Sequence, residues 1–240
     1  MKMALLQIRL NSKSRAANVQ ELNAAIDRAA GTSPALDVVV LPGACDTGGA
    51  RPRRGWSEAG LQGVKESIAF KAREWGVFIA AGVHLAHGHA LEPCAVLFDP
   101  DGDIVVRSVA SVAGVRSESI RPVEPWSSAI GDVGVLEPTI TGPLEERVRV
   151  SEQGAMIAVP VCRSAMGRMQ RTVDANMALL RNGATTGHGI YWAVVAAAGD
   201  EDMPTGESVL TTFLRGPDGA VLAAASGPDE TIVYADVAMT

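Results

Sequence analysis

The sequence predicts an α+β protein with a mixed sheet system and helices covering strands on one side. Two observations carry this. The chain opens strand–helix–strand, and its later part is built from hairpins and short strands around Pro and Gly. A third bounds the size: 240 residues with 47% hydrophobic content suffice for a sizeable core. Linker and low-complexity segments are absent, so residues 1–240 are expected to form a single domain.

The elements follow in order. Residues 3–11, MALLQIRLN, suit a first strand. Ala17, Val19, Leu22, Ile26 and Ala29 fall at helical spacing within 14–30, and Gly31 and Pro34 mark the end of that helix. Val38, Val39, Val40 and Leu41 are apolar without alternation, as in a strand buried on both faces, and Pro42-Gly43 stops them. A Gly/Pro/Arg-rich loop follows to about 56, then a helix over about 57–75 and a strand over 77–85. Residues 94–109 read as a hairpin turned by Pro100-Asp101-Gly102. The stretch 110–130 is irregular. Strands are expected at 130–140, 155–161, 190–199 and 231–239, with a hairpin over 207–226 around Gly216–Gly219. Helices are expected at 144–154 and 166–182; on the latter, Met169, Val173, Met177, Leu179 and Leu180 form a packing stripe.

Composition excludes several function classes. A net charge of −6 and a pI near 5.3 argue against a nucleic-acid surface. Arg51, Arg53 and Arg54 sit in a Pro/Gly loop and read as a solvated turn. No apolar run reaches membrane-spanning length, and the apolar run before Arg9 is too short for a secretory signal. Cys45, Cys94 and Cys162 show no CxxC spacing, and their odd number fits a reducing compartment. The cytoplasm is the expected location. GxGxxG and GxxxxGK[ST] are both missing, so no nucleotide cofactor is expected. His84, His87 and His89 suggest a zinc site, but on a strand only His87 and His89 share a face. They are expected to be solvated hairpin histidines, and no metal is expected.

The order of motifs resembles the nitrilase, or carbon–nitrogen hydrolase, superfamily along nearly the whole chain. The residues that carry it are ALLQIRLN with Asn18, DVVVLPG, FIAAG, DPDGDIVVRS, GDVGVLEPTI, EQGAMIAVP and TGESVLTTFLRGPDGAVLA. Glu145 sits where the family often has a glutamate, which supports the register. The resemblance implies a four-layer α-β-β-α sandwich that usually dimerises across one helix layer. This chain runs out just after its last strand, where relatives often carry a tail crossing to the partner. That puts the family's higher assemblies in doubt, while the apolar helix faces of a layered sandwich point to a homodimer.

The resemblance also implies a glutamate base, a lysine that holds oxyanion charge and a cysteine nucleophile. Those positions fall on Gly43, Ala110 and Pro138, which can neither accept a proton, hold charge nor attack. Small shifts of register restore none of them. The chain has no Glu between Glu21 and Glu58, no Lys after Lys71 and no Cys between Cys94 and Cys162. The expectation is a catalytically inactive homologue, a pseudoenzyme with a binding or structural role and an unknown small-molecule or protein partner. The alternative is an amidase- or nitrilase-type hydrolase of amide or nitrile C–N bonds with relocated residues. Cys45, Asp46, Glu137, Cys162 and His188 are the candidates to line its pocket, with Cys45 or Cys162 as thiol and Asp46 or Glu137 as base.

Overall fold

The computed structural model describes residues 1–49, 59–87, 90–109, 125–136, 154–162, 175, 177–178, 180, 189–198 and 212–238. The described strands form two six-stranded sheets. β1 (Lys2–Gln7), β2 (Val38–Val40), β3 (Phe78–His87), β4 (Ala90–Phe98), β5 (Ile104–Val109) and β12 (Thr231–Asp236) make the first, in the order β12-β1-β2-β3-β4-β5. β6 (Trp126–Ser128), β7 (Gly131–Val135), β8 (Ala155–Val161), β9 (Ile190–Ala196), β10 (Phe213–Arg215) and β11 (Val221–Ala224) make the second, in the order β11-β10-β9-β8-β7-β6. Each sheet has a parallel centre, β1-β2-β3 or β7-β8-β9, flanked by antiparallel strands.

Between β1 and β2 lies α1 (Arg15–Thr32); between β2 and β3 lies α2 (Gln62–Trp75), preceded by a 3₁₀ turn at Ala59–Leu61. The side chain of Ser14 caps α1 by accepting from the Ala17 amide, and α2 ends on Gly76 in the left-handed conformation. Strand alternation explains how β1, β2 and β3 serve two interfaces. Ala4, Leu6, Val39, Leu41, Ile79 and Ala81 point outward onto Leu22, Ile26 and Ala29 of α1 and Ile68 and Ala72 of α2. Met3, Leu5, Val38, Val40 and Ala80 point inward and meet Ile157, Val159, Trp192 and Val194 of the second sheet. Such two-sided burial is why the Val38–Leu41 run lacks polar alternation. Met177 and Leu180, described as helical, join the core on the side of the second sheet, which gives the α-β-β-α layering.

Most predicted elements stand where expected, among them β8 at 155–161 and the β10–β11 hairpin around Gly216–Gly219. Three differ. β3 runs on to His87 and pairs with a β4 that begins at Ala90, so a second hairpin precedes the one at Pro100–Gly102. β6 was not expected within the irregular stretch. α1 passes Gly31 to Thr32 before Ser33 caps it. The Arg51–Arg54 loop, the helix expected at 144–154 and His89 lie outside the described residues.

The outer helices are tied by polar contacts. Lys71, the last lysine of the chain, donates from Nζ to both carboxylate oxygens of Asp27 at 2.7 and 2.8 Å and to Glu74 at 2.6 Å. Burial pulls its pKa down, but the two carboxylates outweigh burial and the ammonium is raised above its usual value.

Two features fasten the sheets together. Gln7 is buried at the end of β1; its amide donates to Gly227 O at 2.8 Å and Asp229 O at 2.7 Å and accepts from the Thr212 amide at 3.2 Å. Thr212 in turn accepts from Ala196 N on β9, and Ala198 N donates to Ile8 O. The second feature is backbone on backbone. A Cβ built on Gly43 lies 2.8 Å from Cys162 N and 3.0 Å from Val161 C, and one built on Gly82 lies 2.5 Å from the Gly43 Cα. Strand ends of both sheets meet here too closely for any side chain.

Removing these fasteners should be measurable in urea unfolding at neutral pH. Gln7→Ala is expected to cost about 1–3 kcal/mol, because the Thr212 amide is left buried and unpaired. Gly43→Ala is expected to cost about 1–3 kcal/mol by overpacking, since the atoms in the way are backbone and cannot rotate aside. A Gly43→Ala chain as stable as wild type would show that the two sheet ends separate freely.

Candidate functional site

The loop after β2 is built as a folded turn rather than an open arm. Leu41 N donates to Ala80 O and Cys45 N to Gly82 O at 2.9 Å, while Gly82 N donates to Pro42 O at 3.2 Å. These bonds continue the β2–β3 ladder past the strand's end. Ala44 then takes a left-handed conformation, φ 56°, which a non-glycine residue adopts at an energetic cost. Its carbonyl accepts from Thr47 N and Gly48 N, which closes one turn. Gly48 ends against the Asn11 carbonyl and the Asn18 side chain. Asn18 itself bridges back to Asn11, accepting from its amide at 2.6 Å and donating to its carbonyl at 3.0 Å.

This turn carries Asp46 and Cys45 into the interior. Asp46 is 0% exposed, and both of its oxygens are used by one residue of β3. Oδ2 accepts from the His84 amide at 2.6 Å, and Oδ1 lies 2.9 Å from His84 Nδ1. An ionised carboxylate only accepts, so the ring proton belongs on Nδ1. His84 is 1% exposed, and its Nε2 is buried with no hydrogen-bond partner among the described residues. This corrects the sequence expectation of a solvated hairpin histidine. Each Asp46 oxygen thus has His84 as a partner.

Cys45 is equally enclosed, and its Sγ donates to Pro42 O at 3.0 Å. Burial pushes its thiol pKa well above the ordinary value; the Asp46 charge and Cys162 add to the rise, and backbone hydrogen bonds at Cys45 and Gly82 oppose it. The thiol is therefore protonated at neutral pH, the opposite of an activated nucleophile. Cys162, at the end of β8, packs with Ala44 and Ala197 beside Leu10. Thus the structure brings Gly43, Cys45, Asp46 and Cys162 to one place. Ala110, Glu137, Pro138 and His188 lie outside the described residues.

His84 is the member of this group that the sequence reading missed as a site residue. Its signal was available in part: it lies two residues beyond Gly82, on the same face of β3. Its partner is 38 residues upstream, which no local pattern encodes. Among the described residues no three His, Cys, Asp or Glu side chains converge as metal ligands, and none of the described helices is long and apolar enough to cross a membrane.

Comparison with known proteins places this geometry. Solved structures match over almost the full chain. An amidase from Nesterenkonia sp. AN1, in a variant with acrylamide added at its active-site cysteine, superposes with a TM-score of 0.72 at 17% identity, covering 99% of this chain and 93% of that one. A carbon-nitrogen hydrolase from Helicobacter pylori G27 gives 0.72 at 17% identity, with 98% and 88% covered. Nit3 of Saccharomyces cerevisiae, a member of branch 10 of the nitrilase superfamily, gives 0.66 at 17%, with 98% and 89% covered. At such identities these matches establish the fold. No curated protein sequence matches the chain significantly. The carbon-nitrogen hydrolase family model matches residues 2–240, and the chain belongs to that family, within the nitrilase superfamily.

Proposed function

We propose that this chain is a catalytically inactive member of its superfamily that works by binding, as a homodimer, to a small molecule or a protein partner. The observation that carries the reading is Gly43. It stands where the resemblance puts the base carboxylate, and the backbone of Val161 and Cys162 fills the space a side chain would need. A side chain built here meets the backbone of the second sheet rather than open space.

Two further observations agree. Lys71, the nearest lysine in sequence to the missing cation position, is spent between α1 and α2 on Asp27 and Glu74. Cys45, the thiol closest to Gly43 in sequence, is held as a protonated thiol by burial and by a neighbouring carboxylate. Without thiolate, base and cation, the covalent route through an acyl-enzyme has none of its three participants. Phe70 and Trp75 keep 53% and 39% of their surface exposed on α2, which supports pairing through that helix layer.

The test is ammonia release from acetamide, propionamide and propionitrile by the purified chain. Release at the rate of the buffer blank is expected, for wild type and for Gly43→Glu alike. Turnover that disappears in Cys45→Ala or Cys162→Ala would establish the relocated-hydrolase reading instead. A second measurement addresses the thiol. Because the folded pKa of Cys45 is raised, its contribution to stability is fully present below the unfolded thiol pKa, about 8.5, and is lost as pH rises above it. Urea midpoints of wild type are expected to fall between pH 8 and 10 more steeply than those of Cys45→Ala. An aromatic disulfide reagent at neutral pH is expected to label Cys45 no faster than the chain unfolds.

A further inference from the structure

The Asp46–His84 pair has the construction of a site rather than of a packing contact. His84 is held from two sides, by its amide on Oδ2 and its ring Nδ1 on Oδ1. Bidentate use fixes the carboxylate, and the carboxylate fixes the tautomer. In a neutral ring so held, Nε2 is the nitrogen left to accept. Among the described residues that atom is buried and without a hydrogen-bond partner, an exception to the pairing of buried polar groups.

Position adds to this. Ala80, Gly82 and His84 lie on the same face of β3, and Ala80 packs in the core between the sheets. Gly82 is covered by Gly43, and the turn carrying Asp46 lies over the following residues. His84 therefore lies toward the end of the seam between the sheets, beside the Asp46 loop that the family resemblance marks as bordering the active site. The chemistry of an occupant follows. A lone pair is satisfied only by an O–H or N–H donor. The neighbouring Asp46 charge, desolvated and close, repels an anion. Burial limits the size.

We propose that Asp46 and His84 form a binding site for a small uncharged hydrogen-bond donor, held through its O–H or N–H at His84 Nε2. This rests on the reading that the chain binds rather than hydrolyses, and it supplies that reading with a contact residue. Asp46 is the positioning residue, acting through the imidazole.

The experiment is long-range ¹H–¹⁵N correlation of the wild-type chain with labelled histidine, where only four rings contribute. The probes are acetamide, ethanol, N,N-dimethylacetamide, which has no donor, and acetate, with ammonia measured in each sample. His84 is assigned through His84→Gln, or through its contact with its own amide should that variant fail to fold. Expected are a proton on Nδ1 before any addition and a saturable shift of Nε2 with acetamide and ethanol. The other two probes leave it unmoved. Asp46→Asn, which keeps an acceptor but removes the charge, is expected to bind acetamide about tenfold more weakly. A proton on Nε2 with Nδ1 bare would overturn the proposal. So would equal shifts with acetamide and N,N-dimethylacetamide, or a long-lived internal water on the ring that no probe displaces. A shift accompanied by ammonia release would instead sink the inactive reading and leave the binding site standing. No shift and no ammonia would do the reverse.

Discussion

The region described around Gly43 depends on how closely two sheets approach at one end. Backbone rests on backbone where β2 and β3 of the first sheet meet the end of β8, and two glycines make this possible. A side chain at either position would act as a wedge. Protein interiors are close-packed, and a wedge against backbone is relieved only by moving strands. The same approach brings Cys162 beside Ala44 and Cys45. The closed seam therefore stabilises the layered body and, in the same stroke, fills the place where the superfamily resemblance puts a proton acceptor.

Closure of that kind forces the remaining polar groups to be settled internally. Gln7 shows the complete solution, with both donors and its acceptor oxygen used between β1 and the segments leading into β10 and β12. Asp46 shows a partial one. Its carboxylate is fully answered by His84, whereas the imidazole is answered on one nitrogen only. Polar networks in a low-dielectric interior stabilise when every member is paired and cost free energy when one is not. An unfinished network beside a finished one is therefore informative. The molecule satisfies the buried Gln7 amide in full, and among the described residues it leaves His84 Nε2 without a partner.

Much of the fold was legible because its signals are local. The run Val38–Leu41 announces a strand buried on both faces, Pro100-Asp101-Gly102 a tight turn, and the Leu22, Ile26 and Ala29 spacing a helix face. Each depends on residues within one element. β6 was not legible, since Trp126–Ser128 is three residues with exposed or half-buried side chains and acquires strand character only by pairing with β7. The extent of the β3–β4 hairpin was not legible because Glu92 and Pro93 interrupt the apolar run that leads into Cys94. The antiparallel register with His84–His87 holds it there. At the site the same division applies. Gly43 at the end of the buried strand was visible in sequence, but its steric role was not, because that role is set by Val161 and Cys162, more than a hundred residues away. His84 was read as solvated because parity along one strand says which neighbours share a face, not whether that face is turned to water or to Asp46.

The location of Asp46 bears on how a family scaffold changes occupation. A hydrolytic site needs a carboxylate with a lone pair free to take a proton and a thiol that gives one up readily. Here the buried carboxylate has given its lone pairs to an amide and an imidazole, and its charge makes the adjacent Cys45 hold its proton more firmly. Carboxylate and thiol thus oppose one another where a catalyst would couple them. The same arrangement fixes the orientation of the His84 ring through its Nδ1. Reactivity and recognition make contrary demands on these groups, and the hydrogen bonds of Asp46 to His84 agree with the proposed binding role.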